Sequence, residues 1–263
     1  MELTDSQFER YARHLILDEV GEDGQMRLLQ SRVLVVGAGG LGAPLLLYLA
    51  AAGIGTLGVI DDDVVELSNL QRQVIHLTDR LGLPKVESAA AMLQAINPDV
   101  RVIQHRTRLT AENAMAIIGD YDLVADGSDN FTTRFLLNDA CFLLRKTLVS
   151  AALLRFDAQM STYKAYLGEP HPCYRCLFPE RPPEDLIPRC EQAGILGALA
   201  GAVGSLQATE VLKEALGIGD SLSGYLLIYD ALAASFRKIK IRRDPNCALC
   251  GPQATIKDVT TIP

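Results

Sequence analysis

Residues 32–73 read RVLVVGAGGLGAPLLLYLAAAGIGTLGVIDDDVVELSNLQRQ, and the fold is decided there. Residues 33–36 form a short apolar run that fits a buried parallel strand and stops at Gly37. Gly37, Gly39 and Gly42 have the G-x-G-x-x-G spacing. In that pattern one glycine makes a tight turn, one lets backbone approach phosphate, and one packs helix on strand. Residues 41–52 follow as an all-round apolar helix ended by Gly53. A second strand, 56–60, delivers Asp61 19 residues past Gly42, where a dinucleotide fold puts the acid that holds a ribose hydroxyl. The outline is that of a nucleotide site.

With 263 residues, the chain suits one sizeable α/β domain that buries ~75% of the surface its unfolded form exposes. Its net charge of −7 disfavours a nucleic-acid duplex or an anionic membrane as the main partner, while leaving room for a local basic pocket. No charge occurs from 33 to 60, but seven glycines and Pro44 divide that stretch into strand, turn, helix and strand, so no membrane span is expected. The charged, helical N-terminus is not a signal peptide, and six cysteines in an unexported chain point to reduced thiols. A cytoplasmic location is the expectation.

Residues 4–17 carry the capping signals Thr4 and Gln7 and an apolar face of Phe8, Tyr11, Ala12 and Leu15, which predicts one amphipathic helix. Arg10 and Arg13 lie on its other side, as solvated charges on the plainest reading. The polar segment 66–73 reads as a binding loop. Pro84 opens a helix that runs to Asn97, placing Lys85 at a helix N-terminus, where a cation is unfavourable unless an anion is near. Strands at 100–105 and 122–126 alternate with helices near 111–118 and 131–144, the rhythm of a mainly parallel sheet. Gly37, Asp61 and Asp129 all fall just past strand C-termini, the edge where open α/β sheets bind ligands.

After Ser150 the rhythm changes. Segments 159–166, 225–229 and 235–241 read as strands, the last two without a crossover helix, which predicts an antiparallel C-terminal extension of a Rossmann-like sheet. Residues 178–192 are rich in proline and charge and read as an exposed segment, and 195–216 as a long apolar helix in the core or at a subunit interface.

Cys173-x-x-Cys176 and Cys247-x-x-Cys250 suit a four-thiolate zinc ion, which is coordinatively closed and therefore structural. A redox pair or unrelated thiols are the alternatives. His171 is nearby, but four cysteines already fill such a site. Cys141 sits on an apolar helix and reads as core. Cys190 precedes a glycine-rich helix start, where a thiol pKa can fall.

The glycine fingerprint alone would also fit an NAD-dependent oxidoreductase. The residues beyond it are more specific: Asp61 and Asp63, then Ser68-Asn69-Leu70-Gln71-Arg72-Gln73, then Pro84-Lys85, then Asp126-Gly127-Ser128-Asp129-Asn130 after a strand. This series resembles the ubiquitin-activating-enzyme-like adenylyltransferases of the MoeB/ThiF family, and the resemblance covers nearly the whole chain. It implies an ATP-dependent enzyme that activates the C-terminal glycine of a small ubiquitin-fold sulfur carrier, of the MoaD or ThiS type, as an acyl-adenylate. The whole of 1–263 would then be a single adenylation domain, with a helical arm at 1–30, a nucleotide-binding half at 31–150 and a carrier-binding, zinc-holding half at 151–263.

The resemblance also implies roles. Arg72 and Lys85 would neutralise phosphate charge, Asn69 orient phosphate or ribose, Asp61 hold ribose, Gly40 allow close backbone approach, and Asp129 anchor Mg²⁺. Ser68, Leu70, Gln71 and Asn130 would complete the nucleotide contacts. Arg13 would reach the ATP site of a partner in a homodimer, although His14 stands where the family more usually has glutamine. In some family members the cysteine matching Cys190 bonds covalently to the carrier or accepts sulfur, and in others it is dispensable; both roles stay open. Sulfur would come from a separate donor such as a persulfide, for molybdopterin, thiamin or another pathway, and the sequence does not choose among them. With 13 residues after Cys250, no appended rhodanese domain is expected.

Taken singly, Asp126 and Asp129 also read as turn formers and Lys85 as a surface charge. A tRNA-modifying dehydratase of the same superfamily is a second reading, disfavoured by the acidic balance and the cysteine pairs. A zinc-stapled scaffold that binds a carrier without chemistry is a third.

Overall fold

The computed structural model describes residues 2–182 and 194–259. Strand β1 (Arg32–Val36), strand β2 (Thr56–Ile60) and the helix between them lie where the glycine spacing puts them. Gly37 takes φ +93°, a left-handed value that would strain any other residue. A methyl group added at Gly42 would stand 1.8 Å from the Gly37 carbonyl oxygen, so only glycine lets the helix start so close to the turn.

Strands β3 (Arg101–His105), β4 (Leu123–Asp126) and β5 (Thr147–Leu154) complete the parallel part. Strands β6 (Asp157–Tyr163), β7 (Tyr225–Asp230) and β8 (Ser235–Lys240) then run antiparallel, each paired with its predecessor. Among the described residues the sheet has eight strands in the order β3-β2-β1-β4-β5-β6-β7-β8, with the mostly exposed β8 as one edge. The order reverses between β1 and β4, and a crevice opens at the carboxyl ends of such a pair. The two loops there touch: a methyl group at Gly37 would lie 2.9 Å from the Gly127 carbonyl oxygen.

Nine helices among the described residues surround the sheet: α1 (Asp5–Arg10), α2 (Ala12–Leu15), α3 (Gly21–Gln30), α4 (Gly42–Ala52), α5 (Lys85–Ile96), α6 (Ala114–Gly119), α7 (Phe131–Leu143), α8 (Tyr174–Leu177) and α9 (Gly197–Leu216). One apolar cluster joins α3, α4, α5 and α9 to the sheet through residues such as Leu28, Leu46, Leu93 and Val211. Another joins α6 and α7 through Ile118, Phe135 and Leu137. No described helix is long and apolar enough to cross a membrane.

Three expectations change. The helix expected over 4–17 breaks at Tyr11, and of its expected apolar face only Tyr11 is buried. The break seats the Tyr11 ring against Gly53 and lets its hydroxyl accept from Asn97 Nδ2 at 2.9 Å. Arg10 is anchored rather than free, donating to the Ile96 carbonyl at 2.9 Å at the end of α5. The strand expected over 159–166 ends at Tyr163, where a 3-10 turn (Ala165–Leu167) begins. Helix α3 and strand β5 carried no clear periodic signal of their own. The exposed segment expected over 178–192 lies partly, and Cys190 wholly, outside the described residues.

Candidate functional site

A cavity of about 340 Å³ opens at the carboxyl ends of β1, β2 and β4. Its walls come mainly from four stretches far apart in sequence: Gly37, Gly39, Gly40 and Leu41; Asp62, Asp63, Val64 and Glu66 with Asn69, Arg72, Gln73 and Lys85; Thr107 to Leu109; and Gly127 to Asn130 with Thr133 and Arg134; Leu153 and Ile195 add an apolar side. Arg72, Lys85, Asn69, Asp129, Asn130 and Gly40, each singled out from the sequence, therefore share one cavity. Asp61, Ser68, Leu70 and Gln71 are not among its lining residues, and neither is Arg13, which is exposed on α2.

Arg72, Asn69, Lys85 and Asn130 each have a local anchor. Arg72 Nη1 donates to the Ser68 carbonyl at 3.0 Å, and Asn69 Oδ1 accepts from Glu66 N at 3.1 Å, so the loop 66–73 is a tight structure of its own. A methyl group at Gly40 would stand 3.5 Å from Arg72 Cδ and 3.4 Å from Ala200 Cβ, in ordinary contact with both, so the turn lies directly against the stem of the cation. Lys85 begins α5 behind Pro84, its ammonium 2.7 Å from Asp63 Oδ2. The anion that offsets a cation at the helix N-terminus is thus supplied within the chain, by Asp63. The pair is uneven: the Lys85 side chain is 7% exposed and that of Asp63 64%.

Asp61 accepts from Ala38 N at 2.8 Å and from Asp63 N at 2.9 Å, which ties the glycine turn to the end of β2. Burial raises its pKa, and Lys85 together with the two N–H groups opposes the rise. In the loop after β4 the two aspartates divide their tasks. Asp126 is fully buried and accepts from Ser128 N, Ser128 Oγ and Ser150 Oγ, so it is a turn former. Asp129 is exposed at the cavity, and Asn130 caps α7 by accepting from Thr133 N at 2.9 Å. Arg134 reaches back from α7 to donate to the Ser128 carbonyl at 3.0 Å.

Sequence reasoning passed over His76, which is 4% exposed, with Nε2 3.0 Å from the Ala38 carbonyl oxygen and Nδ1 2.9 Å from Ser88 Oγ. Burial lowers its pKa to about 4, with Lys85 and Arg80 adding to the shift, so the ring is neutral near pH 7. A lone histidine in an apolar stretch carries no pattern that would have marked it.

A second cluster lies outside the cavity. The Sγ atoms of Cys173, Cys176, Cys247 and Cys250 all lie within 4.8 Å of one another, with separations of 3.8, 3.5 and 3.4 Å for 173–176, 173–247 and 176–250. Four thiolates at ~2.3 Å from a tetrahedral ion stand ~3.8 Å apart, so this donor set fits one. Hydrogen bonding from Cys173, then from the other two thiols, pulls the Cys247 thiol down toward its ionised form. Arg175, inside the first pair, donates to Asp139 of α7 from Nε at 2.8 Å and Nη2 at 2.7 Å, and Tyr174 N donates to Asn138 Oδ1 at 2.7 Å. Arg243 binds the other side through the carbonyls of Ala165, His171 and Cys250. His171 bonds Ser223 Oγ instead of joining the cluster. Cys141 is buried, and its surroundings push its thiol up.

The ThiF family pattern matches residues 11–249. The chain belongs to the ThiF family. It is 52% identical to a sulfur carrier protein adenylyltransferase of Thermus thermophilus, over 98% of this chain and 96% of that one. It is 51% identical to a SAMP-activating enzyme E1 of Haloferax volcanii, over 95% and 92%. Against the adenylyltransferase and sulfurtransferase MOCS3 of Bos taurus the identity is 50%, over 98% of this chain and 56% of that longer one. Among solved structures, E. coli MccB bound to a MccA variant matches with a TM-score of 0.80 at 21% identity, over 94% of this chain and 76% of that one. That likeness is one of fold.

Proposed function

We propose that this ThiF-family chain is an ATP-dependent adenylyltransferase that activates the C-terminal glycine of a ubiquitin-fold sulfur carrier ending in Gly-Gly. One observation carries the reading: two cations, a capping asparagine and an exposed carboxylate, from separate segments, line a single cavity against a glycine turn. The half-identical Thermus relative, matched over nearly its whole length, supports the carrier as substrate.

In this reaction a carboxylate oxygen of the carrier attacks the α-phosphorus of ATP. The bond from that phosphorus to the bridging oxygen breaks, and pyrophosphate leaves with the electron pair. No proton transfer and no enzyme nucleophile is required, so catalysis is positioning and charge neutralisation. Lys85 leaves Asp63 for phosphate, Arg72 swings within its loop to the departing group, Asn69 and Asp61 orient the ribose end, and Gly40 admits the phosphates. Asn130 frames the nucleotide, and Ser68, Leu70 and Gln71 act from behind the lining, in the loop that carries Asn69 and Arg72. Asp129 would hold Mg²⁺, which supplies further positive charge to the leaving pyrophosphate.

The exposed position of Arg13 supports its donation to the cavity of a second copy in a homodimer. We assign zinc to the four cysteines, where it clamps the segment after β8 to α8 and α7. Residues 1–263 act as one adenylation unit, a cytoplasmic enzyme fed by a separate persulfide donor, with Cys190 as the candidate for a covalent link. ATP–pyrophosphate exchange tests the reading. Exchange that appears only with a Gly-Gly-ended carrier supports it, exchange that appears with small carboxylates supports the dehydratase, and no exchange at all defeats it.

A further inference from the structure

His76 has no part in the chemistry above, yet its ring meets the glycine turn from the buried side. A carbonyl can only accept, so Nε2 carries the proton and donates to the Ala38 oxygen at 3.0 Å. Nδ1 then accepts from Ser88 Oγ at 2.9 Å, which holds the ring's orientation from α5, one turn beyond Lys85. On its other side Ala38 donates its own N–H to Asp61 at 2.8 Å. The two peptide units that flank Ala38 are therefore each pinned by a buried or half-buried side chain.

A trans peptide is planar, with its N–H directed opposite to its C=O. Turning the Ala38 carbonyl down onto His76 therefore turns the Gly39 N–H away from His76. Gly39 lines the cavity, and its N–H donates to no described residue. Without His76 that peptide could flip, because glycine at 39 tolerates the backbone angles of either orientation. We propose that His76 is a positioning residue that, through the Ala38 carbonyl, holds the Gly39 N–H toward the nucleotide's phosphates. The inference rests on the nucleotide reading of the cavity. It adds a donor, and the residue that aims it, to the charged groups already assigned.

The test is steady-state exchange and direct ATP binding on His76→Ala, Ser88→Ala and His76→Gln, with melting temperature recorded for each. His76→Ala should raise the KM and Kd for ATP about tenfold, the scale of one lost buried hydrogen bond, and leave the KM for the carrier unchanged. Ser88→Ala removes the hydrogen bond that orients the ring from its far side and should raise the ATP constants about threefold. His76→Gln restores a donor at the same reach and should recover most of the loss. A lower melting temperature with wild-type ATP constants in His76→Ala would make the residue merely structural and overturn the inference. If that variant does not fold, wild-type ATP constants in Ser88→Ala overturn it instead. A wild-type protein without carrier-dependent exchange defeats the functional reading itself, whereas an active wild type matched by His76→Ala defeats only this step.

Discussion

Asp129 and Asp139 lie ten positions apart around α7, and the fold treats them in opposite ways. Asp139 is fully buried, and its two oxygens accept from Arg175 and from Asn138 Nδ2. Asp129 is exposed beside the cavity, its contact with Asn130 Nδ2 stretched to 3.5 Å. A carboxylate with its lone pairs filled holds the protein together, and one left open can take a ligand. The same contrast separates the cysteine region, where Arg175 is fully engaged, from the cavity rim, where the Asp63 partner of Lys85 is mostly in solvent.

The contrast would break if stability and activity did not separate between the two ends. Asp139→Ala leaves Arg175 buried without its counter-charge and should lower unfolding free energy by ~3 to 5 kcal/mol in denaturant titrations. Asp129→Ala should change that quantity by less than ~0.5 kcal/mol, as for most surface substitutions, while exchange falls. Lys85→Ala should reduce exchange by ~2.7 to 4 kcal/mol of transition-state stabilisation, roughly 10²- to 10³-fold, with zinc content by elemental analysis unchanged.

A pH titration sharpens the comparison at the turn. The His76 pKa is about 4 in the folded chain and near 6.5 unfolded, so between those values the unfolded chain binds a proton that the native one does not. The stability it contributes is complete above pH 6.5 and is lost as pH falls through 4. Melting temperatures of His76→Gln should fall less steeply over that window than those of the wild type. The smallest expected effect is at Asp63: Asn there removes the carboxylate that competes with phosphate for Lys85, and the Kd for ATP should fall about twofold to fivefold, within the ~0.2 to 1 kcal/mol of an exposed pair.

Strands β1 to β4 of the parallel half, and the helices between them, were legible because their signals are local: apolar runs of strand length, glycines at fixed offsets, and a proline before Lys85. The cysteine cluster was legible because two matched pairs need each other to be satisfied. Features that depend on contacts across the chain were not. Tyr11 breaks its helix to reach Gly53 and Asn97, and no spacing within residues 4–17 announces that. The Arg175–Asp139 bond joins residues 36 apart, and the Lys85–Asp63 bond residues 22 apart, each between side chains that taken alone read as ordinary surface charges. Helix α3 carries glycine at both 21 and 24, and its buried side is Gly24, Gln25 and Leu28, too polar to stand out as an apolar stripe.

Strand β8 closes the antiparallel end of the sheet with Arg237, Lys238 and Lys240 in a six-residue run that contains no acid. Two copies laid margin to margin along this strand would bring those cations face to face, and the repulsion guards an otherwise open row of backbone donors and acceptors against aggregation.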